Sequence, residues 1–194
     1  MFQWILKIET YMSIIKVNDL NFKLIINSEQ IQAKVKEIAL NLERKLFQNS
    51  DIITLVIMDG AFIFAADLFR CINIEMQPKF IKIKSYVGET QSTEILIDHV
   101  NIEIFKNKTI IIIEDIIDSG NSMFELITKL KAASVKEIYL VAMIIKSSQI
   151  RSEINVDLFG YNIGPEFIIG YGMDYQGCGR GLQGIYQKMI WKVN

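Results

Sequence analysis

The sequence predicts one α/β domain with a mainly parallel central sheet, and three observations predict it. Ile52 to Met58 and Thr109 to Ile113 are continuous apolar runs, the pattern of strands buried on both faces as parallel strands are. Segments with helical periodicity alternate with such runs, and that alternation indicates a parallel α/β sheet whose ligands lie at the carboxyl ends of its strands. A chain of 194 residues is long enough for one sizeable core and short for two.

Within residues 28–48, Ile31, Val35, Ile38, Leu42 and Leu46 recur at spacings of four and three, which makes one face of an amphipathic helix with Asn27 or Ser28 available as its N-cap. The strand Ile52 to Met58 follows, then a helix from about Ala61 to Ile72. Lys79 to Lys84 alternates charge and bulk, which fits a strand with one wet face. Tyr86 to Thr93 is a small and polar loop, and Glu94 to Ile104 reads as further strand. After the apolar run from Thr109 come a helix from about Asn121 to Ala133 and a strand from Glu137 to Ile145. Beyond Lys146, Phe159-Gly160-Tyr161 and Phe167 to Tyr171 suggest short strands that fold over the site. No linker, internal repeat or low-complexity segment interrupts this order.

Composition narrows the class of protein. Hydrophobic residues make up 51% and charged ones 22%, with two prolines, as in a globular chain rather than a disordered one. A formal net charge of -1 announces neither nucleic acid nor an anionic membrane as partner, so any phosphate binding must come from local geometry. Cys71 and Cys178 lie far apart with no metal or redox spacing, which points to free thiols in a reducing cytosol and a cytoplasmic location. No apolar run approaches the ~20 residues of a membrane span. The opening patch is broken by Lys7 and Glu9 and does not read as a secretory signal. With a second candidate start at Met12, residues 1–11 are an extension of open status ahead of a single domain over 12–194.

The chemistry concentrates in TIIIIEDIIDSGNSM, Thr109 to Met123. Its apolar run ends in Glu114 and Asp115, and Asp118 follows two isoleucines later. Ser119-Gly120-Asn121-Ser122 then reads as a phosphate-binding turn: Gly120 permits a tight turn, the serines offer hydroxyls, and the free N–H groups of the new helix point at an anion. Three carboxylates beside an anion cradle would repel a bare phosphate. They suit a ligand that also carries a diol or a magnesium ion, because hydroxyls donate to carboxylates and magnesium prefers oxygen ligands. A sugar phosphate with free ribose hydroxyls meets both demands.

This segment resembles the phosphoribosyl-diphosphate (PRPP) motif of the type I phosphoribosyltransferases. Four more segments resemble the hypoxanthine-guanine branch of that family, in order and spacing, over roughly residues 14–187. They are Met58-Asp59-Gly60-Ala61-Phe62 with Phe64 to Leu68, Ser85-Tyr86 with Ser92-Thr93, Lys146 after Ala142 to Ile145, and Phe167 to Tyr175 followed by Arg180. The resemblance implies a mainly parallel sheet flanked by helices, with a small hood subdomain. It implies transfer of the phosphoribosyl group from PRPP to N9 of hypoxanthine or guanine, with Mg2+ as cofactor and a homodimer or homotetramer as assembly.

It also implies roles for residues of this chain. Glu114 and Asp115 would accept from the ribose hydroxyls, directly or through magnesium. Asp118 would take the proton at purine N7, and Ser119, Gly120, Asn121 and Ser122 would hold the 5-phosphate. Lys146, a donor only, suits the 6-oxo group of an oxopurine and not the amino group of adenine. Phe167 would stack on the base, and the Ile168 and Asp174 backbones would read its 2-position. Asp174 would also reach a second magnesium through water. Asp59, Gly60 and Arg180 would line the diphosphate site, with Ser85 and Tyr86 in a loop closing over it.

The chain departs from the family pattern in places. Asp59 stands where many relatives carry a lysine, which removes a direct charge contact to diphosphate. Glu94 replaces a frequent glycine, and Asn121 and Ser122 stand where Lys and Thr are common. His99 reads as a surface strand residue. Two further readings are a phosphoribosyltransferase preferring xanthine, and a regulatory RNA-binding protein on the same fold, like the pyrimidine attenuation regulators. The near-neutral charge and the Lys146 and Phe167 segments argue against the second.

Overall fold

The computed structural model describes residues 14–47, 51–83 and 102–189. Its first element pair is a hairpin of β1 (Ile14–Val17) and β2 (Leu20–Ile26), turned at Asn18, which takes the left-handed conformation with φ 53°. Helix α1 (Ser28–Leu46) follows. Its amphipathic spacing buries Ile31, Val35, Ile38, Leu42 and Leu46, and Asn27 caps it in a reciprocal capping box with Gln30. Such a cap contributes about 0.5–2 kcal/mol.

The main sheet is built from β3 (Ile52–Met58), β4 (Gln77–Lys82), β5 (Thr109–Ile117), β6 (Glu137–Ile145) and β7 (Leu158–Asn162), in the order β4-β3-β5-β6-β7 and parallel throughout. Helix α2 (Phe62–Cys71) follows β3, and α3 (Asn121–Ala132) follows β5. Alternate residues of the central strands feed two cores. Val56, Ile111, Ile113, Val141 and Met143 pack with α1 and α2, whereas Leu55, Ile57, Ile110, Ile112, Leu140 and Ala142 pack with α3 and Phe105. This two-sided burial is why the strands read as unbroken apolar runs.

A second, antiparallel sheet has the order β1-β2-β9-β8, where β8 is Ile168–Ile169 and β9 is Ile185–Lys188. It forms the small hood. Its hairpin turn is tied to the loop after β8 by the Tyr175 hydroxyl, which donates to Asp19 at 2.9 Å.

Two expectations change. The segment Phe159 to Tyr161 does not fold over the site: it is β7, the edge strand paired with β6. Its Gly160 lets the backbones meet, since a Cβ there would come within 2.5 Å of the Met143 carbonyl oxygen. At the end of the anticipated strand Glu94 to Ile104, residues Ile102–Phe105 form a 3₁₀ turn instead. Residues 1–11, Ser85, Tyr86, Ser92, Thr93 and His99 lie outside the described residues. Among the described residues, no helix is long and apolar enough to cross a membrane.

Candidate active site

Strand β5 carries its acidic residues out of the core and into a cleft. It runs on past the apolar stretch through Glu114 and Asp115 to Ile117, so both carboxylates are buried, at 9% and 8% exposure. Burial, and then the neighbouring charge of Asp115, push the Glu114 carboxyl well above its ordinary value. Two backbone amides take up part of this charge: that of Asp115 donates to Glu114 Oε1 at 3.1 Å, and that of Ile116 to Asp115 Oδ1 at 2.9 Å.

The turn after β5 opens α3. Gly120 is left-handed with φ 75° and serves as N-cap without a side-chain cap. The first amides of α3 therefore face outward, apart from a 3.4 Å contact of the Asn121 amide with Ser119 Oγ. Glu114, Asp118, Ser119, Gly120, Asn121 and Ser122 line a cavity of about 160 Å3 there, walled by Ile116, Ile117 and Met123.

A second cavity, of about 200 Å3, adjoins it and shares Ile116 and Asp118. Lys146, at the end of β6, is buried there at 5% exposure, and its Nζ lies 2.8 Å from Asp118 Oδ2. A lysine at a strand end is ordinarily a surface group; here it is a buried donor with one half-exposed carboxylate as counterion. Phe167 and Ile168 of the hood, with Met173 and Asp174, close the far side. The Phe167 ring is held edge-on against Tyr175, with centroids 5.8 Å apart, and tilted against Phe22 at 6.3 Å, yet stays 42% exposed.

The turn after β3 forms the third wall. Gly60 passes so close to Asp115 that a Cβ would collide with its carboxylate, and Gly172, with φ 103°, leaves no room for a Cβ beside the Gly60 carbonyl. Asp59 bonds to Lys82 Nζ at 3.0 Å, so an ammonium on β4 stands beside this turn although position 59 is acidic. Arg180 donates to the Gly172 carbonyl and pairs with Asp174, both at 2.7 Å, and the Gly177 amide donates to Asp174 at 2.6 Å.

The anticipated residues thus fall into three adjoining groups: Glu114 to Ser122, then Lys146 with Phe167 and Ile168, then Gly60 with Asp59, Asp174 and Arg180. Sequence reasoning gave no individual role to Ile116, Gly172 and Met173, although they lie within its motif segments, and did not connect Lys82 with the site. Ile116 was accessible to it, because it lies between Asp115 near the end of β5 and Asp118 just beyond that strand; the others enter through contacts made only in the folded chain.

A family model described as a phosphoribosyl transferase domain matches residues 25–176. The chain belongs to the phosphoribosyltransferase family. Its relatives include the hypoxanthine phosphoribosyltransferase of Buchnera aphidicola subsp. Schizaphis graminum, 34% identical over 79% of this chain and 88% of that one. The hypoxanthine-guanine phosphoribosyltransferase of Bacillus subtilis is 32% identical over 79% and 85%. In the crystal structure of a hypoxanthine-guanine phosphoribosyltransferase from Bacillus anthracis, the same fold recurs with a TM-score of 0.78 and 31% identity, covering 87% of this phosphoribosyltransferase and 97% of that chain.

Proposed function

We propose that this chain makes IMP from hypoxanthine and PRPP, and GMP from guanine, releasing diphosphate in purine salvage. The observation that carries this reading is the Lys146 and Asp118 pair, 2.8 Å apart, in a cavity that adjoins the helix-opening turn. An oxopurine presents O6 and N7 side by side on one edge. A donor and an acceptor at hydrogen-bond distance from each other match that edge when N7 carries the proton. Adenine offers a donor where Lys146 also donates.

In the reaction, N9 of the base bonds to C1 of the ribose while the bond from C1 to the diphosphate oxygen breaks. The proton displaced from the base leaves through N7 to Asp118, which acts as general base. The turn Ser119-Gly120-Asn121-Ser122 holds the 5-phosphate through outward amides and hydroxyls, anchoring the sugar while its far side changes partners. Glu114 and Asp115 receive the ribose hydroxyls, and their charge stabilises the cationic sugar of the transition state. Phe167 offers its exposed ring to the base, and the Ile168 and Asp174 backbones meet its 2-position. The Gly60 turn beside Asp59, together with Arg180, faces the diphosphate, and the role proposed for Ser85 and Tyr86, which lie outside the described residues, is to close over it and exclude water.

Magnesium fits this set. Among the described residues no three His, Cys, Asp or Glu side chains group around a common point, and an ion arriving on diphosphate needs only one or two protein carboxylates beside its waters. Glu114 and Asp115 would hold it at the ribose, and Asp174 would reach a second ion through water. Bound there, it offsets the charge of the diphosphate. We further propose a single domain over 12–194 behind an extension of residues 1–11, a homodimer or homotetramer, and a cytoplasmic location, with which the free Cys71 and Cys178 agree.

Lys146→Ala tests the assignment of the base. It removes the buried ammonium together with its need for a counterion, so the fold should survive. The KM for hypoxanthine should rise by about tenfold or more, the scale of a lost charged hydrogen bond, with the KM for PRPP little changed. Equal rises in both would remove Lys146 from purine recognition.

A further inference from the structure

A dianionic phosphate in the turn after β5 would lie among carboxylates: the cavity wall includes Glu114 and Asp118 and no cationic side chain. Lys146 is engaged by Asp118, and Arg180 by Asp174. Among the described residues, another cation reaches the turn. Arg151, in the loop between β6 and β7, directs Nη1 to Asn121 Oδ1 at 3.5 Å, and its own amide donates to the Ser119 carbonyl at 3.1 Å.

Its loop is fitted to the turn. Gly120 packs on Ile154 and Ile150, where a Cβ would come within 3.2 Å and 3.5 Å. The guanidinium lies over the Phe124 ring on the first turn of α3, 3.7 Å from its centroid, which fixes the plane of the fork. Glu153 occupies Nη2 at 2.7 Å, while the buried Nε has no hydrogen-bond partner among the described residues. An arginine stacked, aimed at Asn121 and left with an unpaired N–H is arranged for more than its single ion pair with Glu153.

We infer that Arg151 is a positioning residue for the sugar phosphate: it orients Asn121 and supplies the positive charge that the phosphate turn itself lacks. This rests on the reading of the turn as the 5-phosphate site. It predicts discrimination by phosphate and not by base or ribose.

The test measures binding of IMP and of inosine, which differ only in the phosphate, to the wild-type protein and to Arg151→Gln, Arg151→Lys and Glu153→Gln. Arg151→Gln should weaken IMP by about tenfold or more, with inosine unchanged and Arg151→Lys recovering most of the loss. In steady state the same variant should raise the KM for PRPP, with that for hypoxanthine and kcat nearly constant. Glu153→Gln, which frees the guanidinium from its counterion, should tighten IMP by about two- to fivefold, and keeps the inference testable if the Arg151 variants fail to fold. Equal loss of IMP and inosine, a lysine variant as weak as the glutamine one, or no effect of Glu153→Gln on IMP would overturn it. Wild-type turnover with hypoxanthine is scored separately: turnover with unaltered variants refutes the role of Arg151 alone, whereas a wild-type protein that binds IMP no better than inosine refutes the phosphate turn as well.

Discussion

Asp118 and Lys146 are 28 positions apart in sequence and 2.8 Å apart in space, so a substitution at either is felt by both. Asp118→Asn keeps an oxygen that accepts from Lys146 and removes the ability to take a proton. We expect it to bind PRPP and lose on the order of a hundredfold or more in kcat; near-normal turnover in a steady-state assay would take Asp118 out of proton transfer. Glu114 raises a different issue, because its carboxyl titrates well above the ordinary range in the folded chain. Below the ordinary carboxylate value both folded and unfolded chains are protonated and nothing is lost. As pH rises from there to the raised folded value, the unfolded chain releases its proton first, so the ionisable group lowers stability, and above that value the loss is complete. Glu114→Gln should therefore raise Tm at neutral pH, with the gain vanishing in acid, while weakening PRPP binding. A variant with lower Tm than wild type at neutral pH would show that the buried carboxylate is not a liability in the free protein.

At the scale of elements, two glycines join the turn after β3 to the end of β5 and to the hood, and they predict different failures. A Cβ on Gly172 meets a backbone carbonyl and would sit at φ 103°, so Gly172→Ala should cost about 1–3 kcal/mol of stability, read from denaturant unfolding. On Gly60 the Cβ meets the Asp115 carboxylate, which can rotate away. Gly60→Ala should keep most of its stability and raise the KM for PRPP by about tenfold or more through the displaced carboxylate; a variant with normal KM would separate this contact from substrate binding. The sequence shows why some elements were legible and others were not. Helix α1 and strands β3, β5 and β6 are local patterns, each with its own period or an unbroken apolar run. The hood is not: β8 has two residues and pairs with β9, which has four and pairs in turn with β2 at the other end of the described chain. Strand β7 was read correctly as a short strand but placed over the site, because only its contact with β6 reveals where it lies and why Gly160 is there. The site divides likewise: Glu114 to Ser122 is contiguous and was readable, whereas the burial of Lys146, the Lys82 partner of Asp59 and the Arg151 contact depend on crossings between strands.

On the scale of the whole molecule, the two sheets fall, in the proposed reading, to different ends of one substrate pair. The parallel sheet, packed on both faces, fixes β5 and the end of β6, and so the carboxylates, the phosphate turn and Lys146. The hood, assembled from both ends of the described chain, brings Phe167 and Ile168 over the remaining side. In the proposed reading the sugar chemistry falls to the parallel layer, and the face offered to the base is shared between the layers. Such a division predicts that the base is chosen by the Lys146 and Asp118 pair and that PRPP binding is indifferent to which base follows. The most direct measurement is nucleotide formation by the purified protein with PRPP and magnesium, offered hypoxanthine, guanine, xanthine and adenine in separate reactions. Turnover of hypoxanthine or guanine with none of adenine is the predicted result; turnover of adenine, or of no base despite measurable PRPP binding, would contradict the account.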